Sequence, residues 1–360
     1  MTFDTIAFLC EAVQIQSHDD VTEMRAFVVD CLEQEGHSPE IDQQGNVLAT
    51  RDSGEPTDSH IVLNTHIDTV PPQLPFEQHQ DSIHGRGACD AKGSLACLLK
   101  AFLSATVSSG KLTLAISPNE ETSQLGGAYL GETLDADGYI VGEPTGLDVC
   151  PAARGNFGGR ITIYGESAHA SDPTAGVNPI TVLPIVLDAL NSYDEHRGPG
   201  RHDLLGSPTL TPTHIEAGGT RNQIPDECTV SFDRRTVPPE TIDTFVPDLR
   251  DYLQDRLPSH SEFAVKPAYP ESPDPDAFAT DTDSALVNTL VSKSGGKIRP
   301  FEAATEASYF AQNAPTVVFG PGVLADDDGP VAHSNREYVE IAAVTTGAEI
   351  VIKTIEAFVG

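Results

Sequence analysis

Several short apolar runs in this chain end on a histidine or an acid, and this repetition restricts the fold more than any other feature. Residues 61–70 contain Asn64-Thr65-His66-Ile67-Asp68 and stop at Pro71-Pro72. Residues 111–117 lead into Pro118-Asn119-Glu120-Glu121, and 139–141 lead into Gly142-Glu143. Apolar runs of this length bounded by Gly and Pro predict strands, as does the shorter run at 46–50. Helical spacing alternates with them. Phe3, Ile6, Leu9, Cys10 and Val13 share one helical face, 21–32 predicts a second helix before Gly36, and 95–103 a third after Gly93. Alternating helix and strand predicts an α/β unit with a mostly parallel sheet up to about residue 150, whose ligands bind in the loops that follow the strands.

From about Gly158 the pattern changes. Residues 160–164 and 228–233 alternate as strands and 180–190 are helical, which predicts a smaller α+β unit. It ends in the polar, acidic stretch 268–275, where Pro270, Pro273 and Pro275 suit a linker. The apolar strand at 315–319 before Gly320-Pro321-Gly322 is expected to rejoin the first sheet. The expected organisation is a first part at 1–157, an inserted domain at 158–270 and a second part at 271–360.

The chain has 360 residues, and 54 acidic against 21 basic side chains give a net charge of −33. Such a surface argues against nucleic-acid and anionic-membrane partners. Lysine is scarce and the acids are dispersed rather than gathered in a tail. A self-repelling surface of this kind becomes tolerable where salt shortens the Debye length, so a halophilic, salt-rich cytoplasm is expected. No run approaches the roughly 20 apolar residues that span a bilayer, and the N-terminus lacks a signal-peptide pattern. The six cysteines show no C-x-x-C pair, which suggests a reducing compartment and no disulfides. These readings point to a soluble, cytoplasmic protein.

The chemistry-bearing residues are ambiguous one at a time. On a strand His66 and Asp68 would face the same way, the carboxylate orienting the ring; a buried histidine satisfied by an aspartate reads the same. Asp90, in the loop Gly85-Arg86-Gly87-Ala88-Cys89-Asp90-Ala91-Lys92-Gly93, is either a helix cap or a carboxylate bridging two metals. Glu120 and Glu121 form either a solvated acidic loop or a metal ligand beside a base. Glu143 and His333 are weak signals alone. Together the strand ends supply His, Asp, Glu, Glu and His, a mixed nitrogen and oxygen set suited to zinc or a similar divalent ion.

Across essentially its whole length the chain resembles the M20 metallopeptidase and aminoacylase family, which includes acetylornithine deacetylase and succinyl-diaminopimelate desuccinylase. The matching stretches are N-T-H-I-D-T-V-P, G-R-G-A-C-D-A-K-G, N-E-E-T-S, G-E-P-T, E-S-A-H-A-S-D-P, R-N-Q-I-P, F-D-R-R, and F-G-P-G followed by V-A-H-S-N-R-E-Y. The resemblance implies a zinc-exopeptidase-like catalytic domain interrupted by a lid or dimerisation domain. It implies two divalent ions, zinc by preference with cobalt or manganese as alternatives. His66, Asp90 and Glu143 would hold one, and Asp90, Glu121 and His333 the other, Asp90 bridging. Glu120 would be the catalytic base, with Asp68 beside His66 as the carboxylate that orients its ring. His169 would steady the oxyanion from the neighbouring subunit of a homodimer, and Asn222 and Arg235 would bind substrate, with Arg234 the rival of Arg235.

The implied activity is removal of an N-acyl group from an amino acid, as in arginine biosynthesis. Thr305-Glu306-Ala307 and the run from Ser171 to Asn178 are similar to the acetylornithine deacetylase pattern. Ala91 after Asp90 departs from it, methionine being commoner there; relatives that release lysine or ornithine from a carrier protein share the alanine. The competing expectations are a desuccinylase, a dipeptidase or carboxypeptidase of the same family, and a non-catalytic metal-binding scaffold.

Overall fold

The computed structural model describes residues 3–54 and 59–360. It divides into two compact units, one formed by Met1–Ala152, Ala279–Phe301 and Thr305–Gly360, the other by Ala153–Phe278 with Glu302–Ala304.

The first unit is built on a six-stranded mixed sheet in the order Glu40–Ile41, Val47–Asp52, Lys111–Ser117, His60–His66, Gly138–Val141, Thr316–Val318. The last four strands are mutually parallel and the first two are antiparallel additions at one edge. The expected 315–319 strand thus pairs in this sheet, Val317 opposite Ile140. Ile61, Val62, Leu63, Leu112, Leu114 and Ile116 are buried on both faces of the sheet. Parallel strands covered by helices on both sides read as continuous apolar runs for that reason. Helices Lys92–Ser104 and Ile341–Val359 pack on each other and on His60–His66, while Leu125–Thr133 and Ala307–Phe310 pack together beside the strands 111–117 and 138–141. No helix among the described residues is long and apolar enough to cross a membrane.

One element boundary differs from the sequence expectation in a way that matters. The strand expected over 61–70 ends at His66, because its neighbour ends at Ser117, the residue opposite. Ile67 N–H still donates to Ser117 O (3.0 Å), but nothing beyond offers a ladder and the chain turns away toward Ser17. Asp68 therefore stands on the exit loop rather than on the strand. It faces His66 through the turn rather than through the pleat.

The second unit has a four-stranded antiparallel sheet in the order Thr209–Ala217, Glu227–Arg235, Phe157–Tyr164, Glu262–Pro267. Here burial alternates along Phe157–Tyr164 and Glu227–Arg235, as in a sheet with one covered face. Helices Leu183–His196 and Ile242–Gln254 supply Val186, Leu190, Phe245 and Leu249 to a core shared with Ile161, Val230 and Phe232.

Candidate metal centre

Three parallel strands of the first unit deliver their following residues to one place. His66 ends one strand, Glu120 and Glu121 follow the next, and Glu143 comes two residues after Gly138–Val141. Asp90 arrives from the glycine-rich loop. Gly87 in that loop has φ +81° and lies so close to Thr69 and Lys92 that a Cβ would meet them at 2.8 and 2.9 Å, so the turn admits no larger residue. Asp90 does not cap the helix that starts at Lys92; the N-cap position is Ala91 and takes no side-chain bond.

The Asp90 carboxylate instead divides between two histidines. Oδ1 lies 3.2 Å from His66 Nε2 and Oδ2 lies 3.2 Å from His333 Nε2. Glu143 Oε2 stands 3.9 Å from His66 Nε2, and Glu121 Oε1 stands 2.9 Å from His333 Nε2. Two sets of donors result, His66–Asp90–Glu143 and Asp90–Glu121–His333, each with its ligand atoms within 4.8 Å of one another. His333 holds this position with φ +59°, the left-handed region that a non-glycine residue adopts at a cost.

Asp68 organises the other side of the cluster. His66 Nδ1 is 3.0 Å from Asp68 O and 3.3 Å from its Oδ1, which leaves Nε2 directed at Asp90. The same carboxylate accepts the backbone N–H groups of Glu120 (3.0 Å) and Glu121 (2.9 Å). Glu120 Oε1 accepts from Gln124 Nε2 at 3.0 Å. The turn carrying the paired glutamates is therefore clamped, and the Glu121 side chain is only 8% exposed. An open, solvated acidic loop would show neither feature.

Electrostatics at the cluster favour added positive charge. Burial pushes the Glu120 and Glu143 carboxyls well above their usual range; His66 opposes this and the neighbouring carboxylates reinforce it. Burial disfavours a charged His66, yet Asp68 and Asp90 outweigh it and hold the ring well above an ordinary imidazole. His333 is raised to about 10 by Asp90 and Glu121. Burial works against the Asp90 anion too, but both histidines overcome it and its carboxyl is lowered. Protons on the imidazoles thus stand where cations of higher charge would satisfy the same oxygens. Nitrogen and oxygen donors in two groups sharing one carboxylate fit a pair of divalent ions.

Five further residues at the site were not singled out for a role from sequence. Thr305 Oγ1 donates to Glu143 Oε1 at 3.3 Å. Glu306 is hydrogen-bonded to the Ser117 hydroxyl beneath the 118–121 turn, and burial raises its carboxyl to about 7. Arg86 and Glu337 pair behind Asp90. All but Ser117 sit in or beside stretches named above as matching, and that membership was the one available signal.

The remaining predicted residues belong to the second unit. His169 and Asn222 line one cavity of about 300 Å³ with Ser167, Ala168 and Gln223. His169 Nδ1 is 2.7 Å from Ser171 Oγ. Arg235 makes a two-pronged pair with Asp233, at 2.9 and 3.2 Å, and is partly exposed. Its neighbour Arg234 is buried and fully engaged, with Glu240 and Asp194 on its guanidinium and the rings of Phe245 and Tyr193 against it. That engagement removes Arg234 as a carboxylate clamp for substrate.

Residues 62–357 match the sequence profile of Peptidase family M20/M25/M40. The chain belongs to this family. It is accordingly a metal-dependent hydrolase acting on amide bonds, of a family that binds a dinuclear metal. Among M20 relatives, an uncharacterized metallohydrolase of Methanocaldococcus jannaschii is 32% identical over 309 residues, covering 83% of each chain. The acetylornithine deacetylase of Salmonella paratyphi B is 29% identical over 333 residues, covering 87% of this chain and 83% of the relative. The crystal structure of the Bacillus subtilis YXEP protein, a dinuclear metal-binding peptidase from the M20 family, superposes with a TM-score of 0.75 at 14% identity, covering 99% of this chain and 97% of the other.

Proposed function

We propose that this M20 enzyme removes the acyl group from an N-acyl amino acid, in the manner of an acetylornithine deacetylase, using two divalent ions. His66, Asp90 and Glu143 would hold one ion and Asp90, Glu121 and His333 the other, zinc being the ion best suited to this donor set. The observation that carries the reading is the division of the Asp90 oxygens between two histidines at 3.2 Å each, since a single-metal site has no use for it. When bound, such ions polarise an amide carbonyl and acidify water.

The chain's own residues do the rest. Glu120, held through its backbone by Asp68 and through Oε1 by Gln124, takes a proton from water and returns it to the departing amine. Asp68 keeps the His66 proton on Nδ1 and leaves Nε2 free to act as a ligand. His169 would donate to the oxyanion from the partner subunit of a homodimer, and Asn222 and Arg235 would bind the substrate, Arg235 through its planar fork. In this reading the 153–278 unit is the lid and dimerisation domain, and the enzyme works in a salt-rich cytoplasm in amino-acid, specifically arginine, biosynthesis. The acetylornithine deacetylase relative supports the substrate class.

A panel assay decides it. N-acetylornithine, N-succinyl-diaminopimelate and simple dipeptides are offered in high salt with zinc, cobalt or manganese. Acetylornithine should be hydrolysed with kcat/KM at least ~10-fold above the others, about the discrimination one well-placed group confers. A dipeptide preference would reassign the substrate, and silence across the panel with metal bound would leave a scaffold.

A further inference from the structure

Arg86 and Glu337 lie in two of the shared stretches yet contribute no atom to either donor set. Their side chains are 1% and 0% exposed. Burying two charges costs about as much as their attraction returns, so stability alone is a weak reason to keep such a pair. Where the bonds go is more informative.

Glu337 Oε2 accepts from Arg86 Nη1 at 2.6 Å, while its Oε1 accepts the backbone N–H groups of both Cys89 and Asp90 at 3.1 Å. Arg86 Nε in turn donates to Pro72 O at 3.1 Å. One carboxylate thus grips a guanidinium and two successive amides, the second of which belongs to Asp90 itself. Glu337 stands four residues beyond His333, and the segment between is tightly folded: Ser334 Oγ donates to Val331 O (2.9 Å) and accepts Arg336 N–H (3.2 Å). His333 Nε2 meanwhile meets Asp90 Oδ2 at 3.2 Å. A single short segment therefore holds the Asp90 loop twice, by its imidazole from the front and by a carboxylate from behind. The loop needs holding, because Gly85 and Gly87, at φ +143° and +81°, give its backbone freedom that other residues would not.

We infer that the Arg86–Glu337 pair is a positioning device that fixes the Asp90 main chain against His333 and so sets how Asp90 is shared between two ions. This rests on the two-metal reading above. Groups that orient a ligand from behind typically change metal affinity or activity by roughly 10- to 100-fold when removed. A pair serving stability alone would change neither once the protein is folded.

The test is cobalt titration of the metal-free full-length protein, followed by visible absorption, with urea midpoints measured alongside. Glu337→Gln should bind one of two cobalt equivalents about 10- to 100-fold more weakly, with an altered spectrum and a lower kcat at nearly unchanged KM. Arg86→Lys should shift in the same direction by less, since it keeps the charge and loses the fork. Arg234→Gln breaks the buried pair of the other unit, and should lower the urea midpoint while leaving cobalt binding as in the wild type. Wild-type cobalt affinity and spectrum in both Glu337→Gln and Arg86→Lys would overturn the proposal, as would equal weakening in Arg234→Gln. Should neither Glu337→Gln nor Arg86→Lys fold, the pair is a stability element and the proposal falls. His333→Ala separates the two levels: if it still binds two equivalents the ligand reading itself fails, whereas loss of one there with wild-type behaviour in Glu337→Gln removes the positioning role alone.

Discussion

An imidazole with one ring nitrogen engaged presents the other in a fixed direction, and His66 shows how little sequence that takes. Asp68, two residues on, engages Nδ1 and at the same time clamps the Glu120–Glu121 turn through two backbone bonds. The side chains at this scale were readable as candidates one at a time, and roles for them came only from the family resemblance. Glu120 and Glu121 are adjacent and identical, and their contacts distinguish them: Glu121 meets His333 at 2.9 Å, whereas Glu120 accepts from Gln124. The distinction has a consequence: Glu120→Ala should keep both metal equivalents while lowering kcat by roughly 10³-fold, within the range of general-base effects. Metal analysis and steady-state rates on one preparation check both halves. Near-normal turnover would move the base elsewhere.

Among the elements, the ends matter more than the middles. The buried runs of the parallel strands were evident as continuous apolar segments, and the 111–117 strand has the bounds read from its sequence. The 61–70 run was read four residues too long, since alternation along one chain cannot reveal where the neighbouring strand stops. The helix Leu125–Thr133 shows a related dependence. A Cβ on Gly127 would lie 2.5 Å from the Glu306 carboxyl, which braces Ser117 beneath the 118–121 turn. Gly127→Ala should therefore cost about 1–3 kcal/mol by overpacking, visible as a lower urea midpoint, together with a drop in kcat as the turn shifts. An unchanged midpoint and kcat would mean that Glu306 moves aside freely.

For the whole molecule, charge is the dominant property. With a net charge of −33, folding gathers mutually repelling carboxylates, and added salt screens them. Raising KCl from about 0.1 to about 2 M, through which the Debye length falls from ~10 Å to a few ångströms, should raise Tm by several degrees. A flat or falling Tm would show that the acids are spaced widely enough not to matter. Local crowding adds a pH effect in the second unit. Partial burial, with the Asp276 charge nearby, raises the Asp274 carboxyl from 3.8 to about 6. Folded protein then holds a proton that the unfolded chain has lost, so this group's stabilising contribution is complete below about pH 3.8 and disappears as pH rises through 6. Asp274→Asn should match the wild type near pH 4 and exceed it increasingly toward pH 7 in urea midpoint. A constant difference across that range would contradict the shift.

Composition and periodicity by themselves determined the acidic surface, the α/β class of the first unit, the change of pattern near residue 158 and the short set of His, Asp and Glu candidates. Those follow from local rules, in which burial dictates hydrophobicity and strand ends dictate where polar groups emerge. Tertiary structure alone decided that Asp90 faces two histidines rather than capping a helix, that Asp68 acts from a loop, that Arg234 is buried among its partners, and that Glu337 reaches back across 247 positions to the Asp90 amide. Each of these is a contact between distant segments. Which oxygen meets which nitrogen depends on how the strands register and where they stop, and no local pattern in the chain encodes that.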